Sequence, residues 1–228
     1  MSEILKNIYY ANKIYFIPLF FLLIFIGIVL ITVPIGTEFF LINPHHTPFY
    51  DTFFYLITYL GNGLVQAIIL LPLLFIKFRV YILIVIAHLT SGLFAQIIKI
   101  IFEMPRPKNY FSHFEYFYII PNEVLYSNFS FPSGHTTSIF SLSIILAIIT
   151  KNKFLKVIFL IIAILVGFSR IYLLQHFLLD VYFGMIIGSI LGLLVYVLFA
   201  KSCDMNKLHS QTLSNFIKER KLSKSTTN

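Results

Sequence analysis

The sequence predicts an all-α fold, a bundle of six transmembrane helices with an active site at the outer membrane–water interface. Hydrophobic residues make up 58% of the 228 residues and charged residues only 11%. The mean hydropathy of +0.88 lies outside the range of soluble domains. Runs such as LFFLLIFIGIVLIT (19–32) lack the alternation of a membrane β-strand, so they predict helices.

Six apolar runs approach the roughly 20 residues that a helix needs to cross the hydrocarbon core. The first run is too long for a signal-peptide core and has no small-residue cleavage site, so we expect a retained helix. With no Gly/Ser linker or internal repeat, we expect one membrane domain, 1–203, followed by a weakly ordered cytoplasmic tail, 204–228. The six runs lie at roughly 15–33, 52–76, 80–102, 134–150, 154–169 and 177–200.

The basic residues are sorted by side rather than gathered in a patch. The net charge is +8, and most Lys and Arg residues lie on alternate connections between the apolar runs. The positive-inside rule assigns those connections, with both termini, to the cytoplasm. This distribution explains the charge without a nucleic-acid partner, which we do not expect. The sorted residues are Lys6, Lys13, Lys77, Arg79, Lys151, Lys153, Lys156, Lys201, Lys207, Lys218, Arg220, Lys221 and Lys224.

Four cations fall on the opposite, outer side: Lys99, Arg106, Lys108 and Arg170. Lys108 needs no more than a surface role. The other three lie at helix ends, where ionisable groups near a membrane are costly and usually functional. Cations that share a site repel one another unless an anion joins them. The mixture of Arg and Lys donors suits the several oxygens of a phosphoryl group.

The stretch FPSGHTT (131–137) opens the fourth apolar run on the same outer side. Its proline and glycine favour a tight turn into a helix start. Free backbone N–H groups and the positive end of the helix dipole would then face the same anion. The stretch is therefore expected to form an anion cradle with a histidine attached.

Two histidines and a carboxylate predict what happens to the phosphate. His176 and Asp180 are spaced i, i+4 on one helix face, so the carboxylate can hold one ring nitrogen and leave the other nucleophilic. His135 comes from another helix and would protonate the leaving oxygen. Lys99, Arg106 and Arg170 would stabilise the charge of the transferring group.

These residues resemble the type 2 phosphatidic acid phosphatase superfamily, whose motifs are K-x6-R-P, P-S-G-H and S-R-x5-H-x3-D. The matching segments are KIIFEMPRP (99–107), PSGH (132–135) and SRIYLLQHFLLD (169–180), in order and with every fixed position present. The six-helix layout extends the resemblance over roughly 15–200.

The resemblance implies a role for each site residue, with no metal and no cofactor. It implies His176 as the nucleophile that forms a phosphohistidine, Asp180 as its partner and His135 as the general acid. The residues implied to contact phosphate are Lys99, Arg106, Ser133, Gly134 and Arg170.

The expected activity is that of a lipid phosphatase, a hydrolase of a phosphomonoester or diphosphate on a lipid headgroup. We expect it at the outer face of the bacterial cytoplasmic (inner) membrane, with lipid phosphate and membrane lipids as partners. Undecaprenyl diphosphate, phosphatidylglycerol phosphate, phosphatidic acid and lipid A are all compatible substrates. The motifs choose neither among them nor among oligomeric states.

Three alternatives differ in reaction class. A lipid phosphotransferase would use the same site with another acceptor. A non-catalytic protein that binds or transports anionic lipids would not need the His176–Asp180 pair, and the sequence gives no sign of its broken helices. A vanadate haloperoxidase shares the motifs, but the membrane composition argues against it.

Several other features have simpler interpretations. The aromatic loop between 103 and 131 predicts either an interfacial anchor or a surface that contacts substrate. His45 and His46, with only Asp51 nearby, predict a solvated loop rather than a metal site. His88 is expected to bond a neighbouring helix, and GMIIGSILG (184–192) to pack closely against another.

Overall fold

The computed structural model describes residues 2–121 and 123–202. Within these ranges the chain forms helices and loops without a β-strand, which confirms the all-α prediction. The predicted tail, 204–228, lies outside the described residues. The α-helices are α1 (Ser2–Ala11), α2 (Lys13–Thr32), α3 (Thr37–Ile42), α4 (Pro48–Ile57), α5 (Gly63–Ile69), α6 (Pro72–Ile76), α7 (Phe78–Phe102), α8 (Pro107–Tyr110), α9 (Gly134–Ile149), α10 (Lys153–Tyr172) and α11 (Leu178–Ser202). Short 3-10 helices span Asn43–His45, Thr58–Gly61 and Phe114–Tyr116.

Four of the described helices are long and apolar enough to cross a membrane, namely α2, α7, α10 and α11. A fifth span results if α4 and α5 are taken together. The run predicted at 134–150 corresponds to α9, which has 16 residues. It rises only about 24 Å, less than the roughly 30 Å of a hydrocarbon core. The six spans and the orientation of the bundle therefore stay predictions.

The run predicted as one span, 52–76, is broken. α4 passes into the 3-10 turn Thr58–Gly61, and the next helix leaves at an angle of 79°. The side chain of Asn62 accepts two backbone N–H groups of the first turn of α5, so it caps a new helix. Pro72 then begins α6 at a position where its missing N–H costs nothing. A continuous apolar run thus contains a bend.

The short helix α9 is central, because it packs against α7, α10 and α11. α11 approaches α9 closely through its glycines. A Cβ on Gly188 would lie 2.3 Å from the carbonyl oxygen of Thr137, and one on Gly192 would lie 2.6 Å from that of Ser141. The predicted close packing of GMIIGSILG is confirmed, and it holds the start of α11 beside the start of α9.

The aromatic loop between α7 and α9 is only partly at the surface. Phe114 and Phe117 are buried, and the ring of Phe117 packs edge-on against the fully buried Phe39. Tyr116 and Tyr126 are exposed by 81% and 61%. These two rings form part of the protein core, a packing role that neither prediction for the loop included. For the exposed tyrosines both predictions remain.

Candidate active site

The predicted site residues lie where four helix ends meet. α7 ends and α9 begins here, and the loop between α10 and α11 crosses the same region. The placement follows the motifs: Lys99 in the last turn of α7, Arg106 directly before α8, Ser133, Gly134 and His135 at the start of α9, Arg170 in the last turn of α10, His176 in the following loop, and Asp180 in the first turn of α11.

His176 and Asp180 form the pair that their spacing predicts. His176 Nδ1 lies 3.3 Å from Asp180 Oδ2, and both side chains are only 2% exposed. The same carboxylate oxygen accepts the hydroxyl of Ser130 at 2.5 Å and the backbone N–H of Phe177 at 3.0 Å. Asp180 is therefore fixed by three donors. It holds the Nδ1 side of the imidazole, while Nε2 has no hydrogen-bond partner among the described residues.

The surroundings of His176 keep its ring neutral. Burial lowers the pKa of His176 well below its usual value, and the positive charges of Arg106, Lys99 and Arg170 lower it further, with a smaller contribution from His135. Five predicted site residues are thus within electrostatic reach of one another. A neutral imidazole whose Nδ1–H faces a carboxylate retains a lone pair on Nε2.

Lys99 is 9% exposed, and its ammonium binds the segment that leads into the PSGH motif. Nζ donates to the carbonyl oxygen of Phe129 at 2.5 Å and to that of Ser130 at 3.0 Å. An ammonium has three donors, so one remains for an anion. The contact also holds Ser130, and through it Asp180, beside the end of α7.

Arg106 is held by the loop and by the residue next to His176. Its Nε donates to the carbonyl oxygen of Asn128 at 3.0 Å. One terminal nitrogen donates to both the side chain and the backbone carbonyl of Gln175, at 2.9 and 3.2 Å. The ring of Tyr126 lies 5.1 Å from the guanidinium, within the range of a cation–π contact. Four contacts with three residues therefore fix the plane of the guanidinium.

The PSGH segment forms the helix start that was predicted. Ser133 is fully buried and is the N-cap of α9, and its Oγ accepts the backbone N–H and the hydroxyl of Thr136. Its own N–H donates to the backbone carbonyl of Asp180 at 3.0 Å. A Cβ on Gly134 would meet nothing within 4 Å, so the backbone borders open space there. Ser133 thus acts mainly as a cap, and Gly134 offers the accessible helix start.

Arg170 is 6% exposed, and its guanidinium contacts the broken helix. One terminal nitrogen donates to the hydroxyl of Thr58 at 2.7 Å. Its Nε is buried and has no hydrogen-bond partner among the residues that the structure describes. Buried polar groups are normally paired, so the unpaired Nε–H of Arg170 indicates a site for an anionic ligand.

Sequence reasoning missed three residues that hold the site together. Ser130 lies two residues before the PSGH motif, and Gln175 occupies a variable position of the third motif. Their closeness in sequence to the fixed positions of these motifs was the only available signal. Nothing in the sequence connects Thr58 with Arg170, which lies 112 residues away.

The prediction of a solvated loop for His45 and His46 is wrong for His46. Its side chain is 7% exposed, and its Nδ1 lies 2.6 Å from Asp51 Oδ1. The ring lies between those of Tyr118 and Tyr172, at centroid distances of 4.7 and 4.2 Å. Packing against two aromatic rings, which the sequence does not show, takes His46 out of solvent. His45 is exposed as expected.

His88 bonds a neighbouring helix, as predicted. Its Nδ1 lies 2.9 Å from the hydroxyl of Ser138 on α9. Among the described residues, no group of three or more His, Cys, Asp or Glu side chains is placed to hold a metal ion. The donors that converge on the site are cationic, so the set is suited to an anion.

Comparison with known proteins supports the motif-based resemblance. Residues 77–203 match the PAP2 superfamily. A lipid A 4'-phosphatase of Porphyromonas gingivalis is 30% identical over 174 residues, which cover 71% of this chain and 72% of that protein. The crystal structure of Aquifex aeolicus LpxE is 29% identical, with a TM-score of 0.61 over 70% of this chain and 92% of that one.

A second solved structure extends the likeness of fold. The PAP2-type phosphatidylglycerolphosphate phosphatase of Bacillus subtilis gives a TM-score of 0.63 over 83% of this chain and 98% of that one, at 24% identity. The family match includes every predicted site residue from Lys99 to Asp180. This chain therefore belongs to the PAP2 superfamily.

Proposed function

We propose that the protein is a metal-independent membrane lipid phosphatase that hydrolyses a phosphate ester on a lipid headgroup. The observation that carries this proposal is the buried His176–Asp180 pair, with Nε2 unengaged among three cations. A binding site for an anionic lipid needs the cations, but it does not need an oriented, neutral imidazole. Membership of a family with phosphatase relatives supports the same conclusion.

In the first step, the Nε2 lone pair of His176 attacks phosphorus and forms an N–P bond. The bound phosphate anion offsets the charge of the three cations, so His135 can carry a proton in the complex with substrate. The bond between phosphorus and the lipid oxygen breaks, and His135 gives this proton to that oxygen, so the lipid leaves as an alcohol. Lys99, Arg106 and Arg170 stabilise the negative charge of the phosphoryl oxygens as it is transferred.

In the second step, water attacks the phosphohistidine. His135, now neutral, takes a proton from that water, the N–P bond breaks, and inorganic phosphate leaves with His176 restored. Asp180 holds the Nδ1–H side throughout and stabilises the positive charge that the ring carries in the intermediate. Both steps use only groups of this chain, the lipid and water.

We infer a phosphate of lipid A as the first substrate to test. The support is the relative named lipid A 4'-phosphatase, which aligns with 71% of this chain. The Bacillus protein, named for phosphatidylglycerolphosphate, supports the fold alone at 24% identity. Undecaprenyl diphosphate and phosphatidic acid complete the panel. The site would face the outer side of the bacterial cytoplasmic membrane, in accord with the sorting of basic residues.

The test is phosphate release by purified protein in detergent with EDTA present, across these four lipids. We expect release from lipid A that EDTA does not diminish, and trapping of a phosphohistidine by acid-free quenching with radiolabelled substrate. Loss of activity in EDTA, restored by a divalent cation, would contradict metal independence. Transfer of the label to an added lipid or sugar acceptor would favour the phosphotransferase instead.

The bend between α4 and α5 is the one observation that favours a transport function, since broken helices occur in transporters. The bend also lies beside Arg170 and His135, so it is placed to position these two residues. Binding of all four lipids without turnover would restore the transport hypothesis.

A further inference from the structure

The 3-10 turn Thr58–Gly61 lies outside all three motifs, yet it contacts two groups of the site. Thr58 is 7% exposed, and its hydroxyl accepts a hydrogen bond from Arg170 at 2.7 Å. This is the only hydrogen bond of the Arg170 side chain within the described residues. A guanidinium is planar and rigid, so one bond at one nitrogen restricts where its other donors can point.

The absence of a side chain at Gly61 allows His135 to pack directly against the backbone of the turn. A Cβ at Gly61 would lie 2.8 Å from the Cβ of His135 and 2.7 Å from a methyl group of Val166. Real Cβ contacts are essentially never this short, so a larger residue would push His135, α10 or the turn out of place. The first turn of α9 therefore rests directly on the backbone of the 3-10 turn.

The 3-10 turn is itself firmly held. The side-chain amide of Gln66, in α5, donates to the carbonyl oxygen of Leu60 at 2.7 Å. The oxygen of the same amide lies 3.0 Å from the hydroxyl of Ser138, one helical turn beyond His135 on α9. Gln66 is 4% exposed, so these bonds are shielded from water. A single amide thus ties the turn to the helix that carries His135.

We propose that the bend in the α4–α5 segment is a positioning device, in which Thr58 orients Arg170 and Gly61 sets the distance of His135 from the phosphate. This inference rests on the proposed function of the site. Neither residue touches the reacting atoms. Both act through a group that does, so their loss reduces turnover by misplacement rather than by removal of chemistry.

Thr58→Val tests the hydrogen bond, because valine keeps the shape of threonine and lacks the acceptor. We expect kcat to fall about 10- to 100-fold, since small misplacement of a catalytic group has effects of this size. KM should change less. Thr58→Ser restores the hydroxyl and should stay within about threefold of the parent. The matched control is Thr52→Val, at an exposed residue of α4 whose hydroxyl donates to the carbonyl oxygen of Pro48.

Gly61→Ala tests the distance of His135 independently of the hydrogen bond of Thr58. Its matched control is Gly92→Ala, because a Cβ at Gly92 would meet nothing within 4 Å. We expect Gly61→Ala to lower kcat about 10-fold or more and Gly92→Ala to leave it unchanged. Equal activities of the two alanine variants would overturn the role of Gly61.

Binding of orthovanadate, a phosphate analogue, separates this inference from the proposed function. Thr58→Val should weaken vanadate binding about tenfold relative to Thr52→Val, as expected for loss of one aligned charged donor. Weaker binding without turnover of any lipid would contradict the phosphatase proposal and leave the positioning role intact. The positioning role would be overturned if Thr58→Val kept normal turnover and vanadate binding. It would also be overturned if Thr58→Ser lost as much kcat and vanadate affinity as Thr58→Val. Absence of vanadate binding by the parent protein would overturn both.

Discussion

Two histidine–aspartate pairs lie in the part of the chain that the structure describes, one buried and one partly buried, and they have different surroundings. His176 and Asp180 lie 3.3 Å apart and His46 and Asp51 lie 2.6 Å apart, at side-chain exposures of 2% for both members of the first pair and 7% and 13% for the second. By distance alone, His46–Asp51 is the tighter pair. The distance between histidine and aspartate therefore does not single out the pair that the motifs predict to be catalytic.

The difference lies in the groups around each pair. Three cations surround the His176 pair. The hydroxyls of two tyrosines donate to Asp51 instead, and their rings lie against His46. His46 Nε2 is buried without a hydrogen-bond partner in the described part of the chain. The His176 pair is thus placed to act on an anion, whereas the His46 pair joins three segments of the fold.

The tyrosines show which segments the His46 pair joins. Tyr118 belongs to the long loop before α9, Tyr172 ends α10, and Asp51 lies in the first turn of α4. The backbone N–H and C=O of Tyr118 also bond to the side chain of Asn43. We infer a structural role for this cluster, so substitutions in the two pairs should separate chemistry from stability.

The largest difference is expected between His176→Ala and His46→Ala. Removal of the nucleophile should lower phosphate release about 10⁴-fold or more, whereas His46→Ala should stay within about threefold of the parent in kcat. Both are measured by single-turnover release from detergent-solubilised substrate. A comparable loss of phosphate release in His46→Ala would contradict the purely structural role of the His46 pair.

Exchange of each aspartate for asparagine comes next. Asp180→Asn should lower kcat about 10²- to 10⁴-fold, because the amide can present an N–H to Nδ1 and reverse the tautomer of His176. Asp51→Asn should leave kcat nearly unchanged and lower the free energy of unfolding by about 1–3 kcal/mol, since it weakens a partly buried acceptor of three donors. Kinetics and denaturant unfolding of both variants distinguish these outcomes. A normal kcat for Asp180→Asn would contradict its assigned role.

Ser130→Ala should have a smaller effect, because it removes one of three donors to Asp180 and leaves the pair in place. We expect kcat to fall about tenfold, the size of one hydrogen bond to a charged group. Ser112→Ala, at an exposed position of the same loop, is the matched control. Equal rates for the two variants would show that Ser130 does not support the pair.

The smallest effect concerns protonation. Because burial and nearby positive charge lower the pKa of His176, its ring should remain neutral as the pH falls through 6.5. The ring nitrogens of ¹⁵N-histidine-labelled protein report this directly, with the His176 signals assigned by their loss in His176→Gln. An imidazolium at His176 formed at pH 6.5 or above would contradict the geometry. The same titration applied to His46 compares the two pairs.

The sequence predicted much of the site because the motifs lie at helix ends. Local signals were sufficient to place Ser133 at a helix start and to predict the contact between the side chains of His176 and Asp180. The three cations were grouped correctly because they fall outside the connections on which most other basic residues are sorted. Their assigned roles in catalysis remain predictions.

The errors came from contacts between distant segments. A hydropathy pattern does not distinguish a straight span from one bent by 79°, because both bury apolar residues. Nor does it show that His46 packs between two tyrosines contributed by other segments. The hydroxyl of Thr58, in an apolar run, gave no sign of its bond to Arg170.

The sequence by itself determined the helical class, the family and the chemical types gathered at the site, because composition and short-range spacing depend on neighbours along the chain. Tertiary structure alone decided which of two histidine–aspartate pairs faces cations, where the apolar segment 52–76 bends, and how Thr58 and Gly61 meet Arg170 and His135. These features depend on the packing of α4, α9 and α10, and packing joins residues whose separation in sequence carries no local signal.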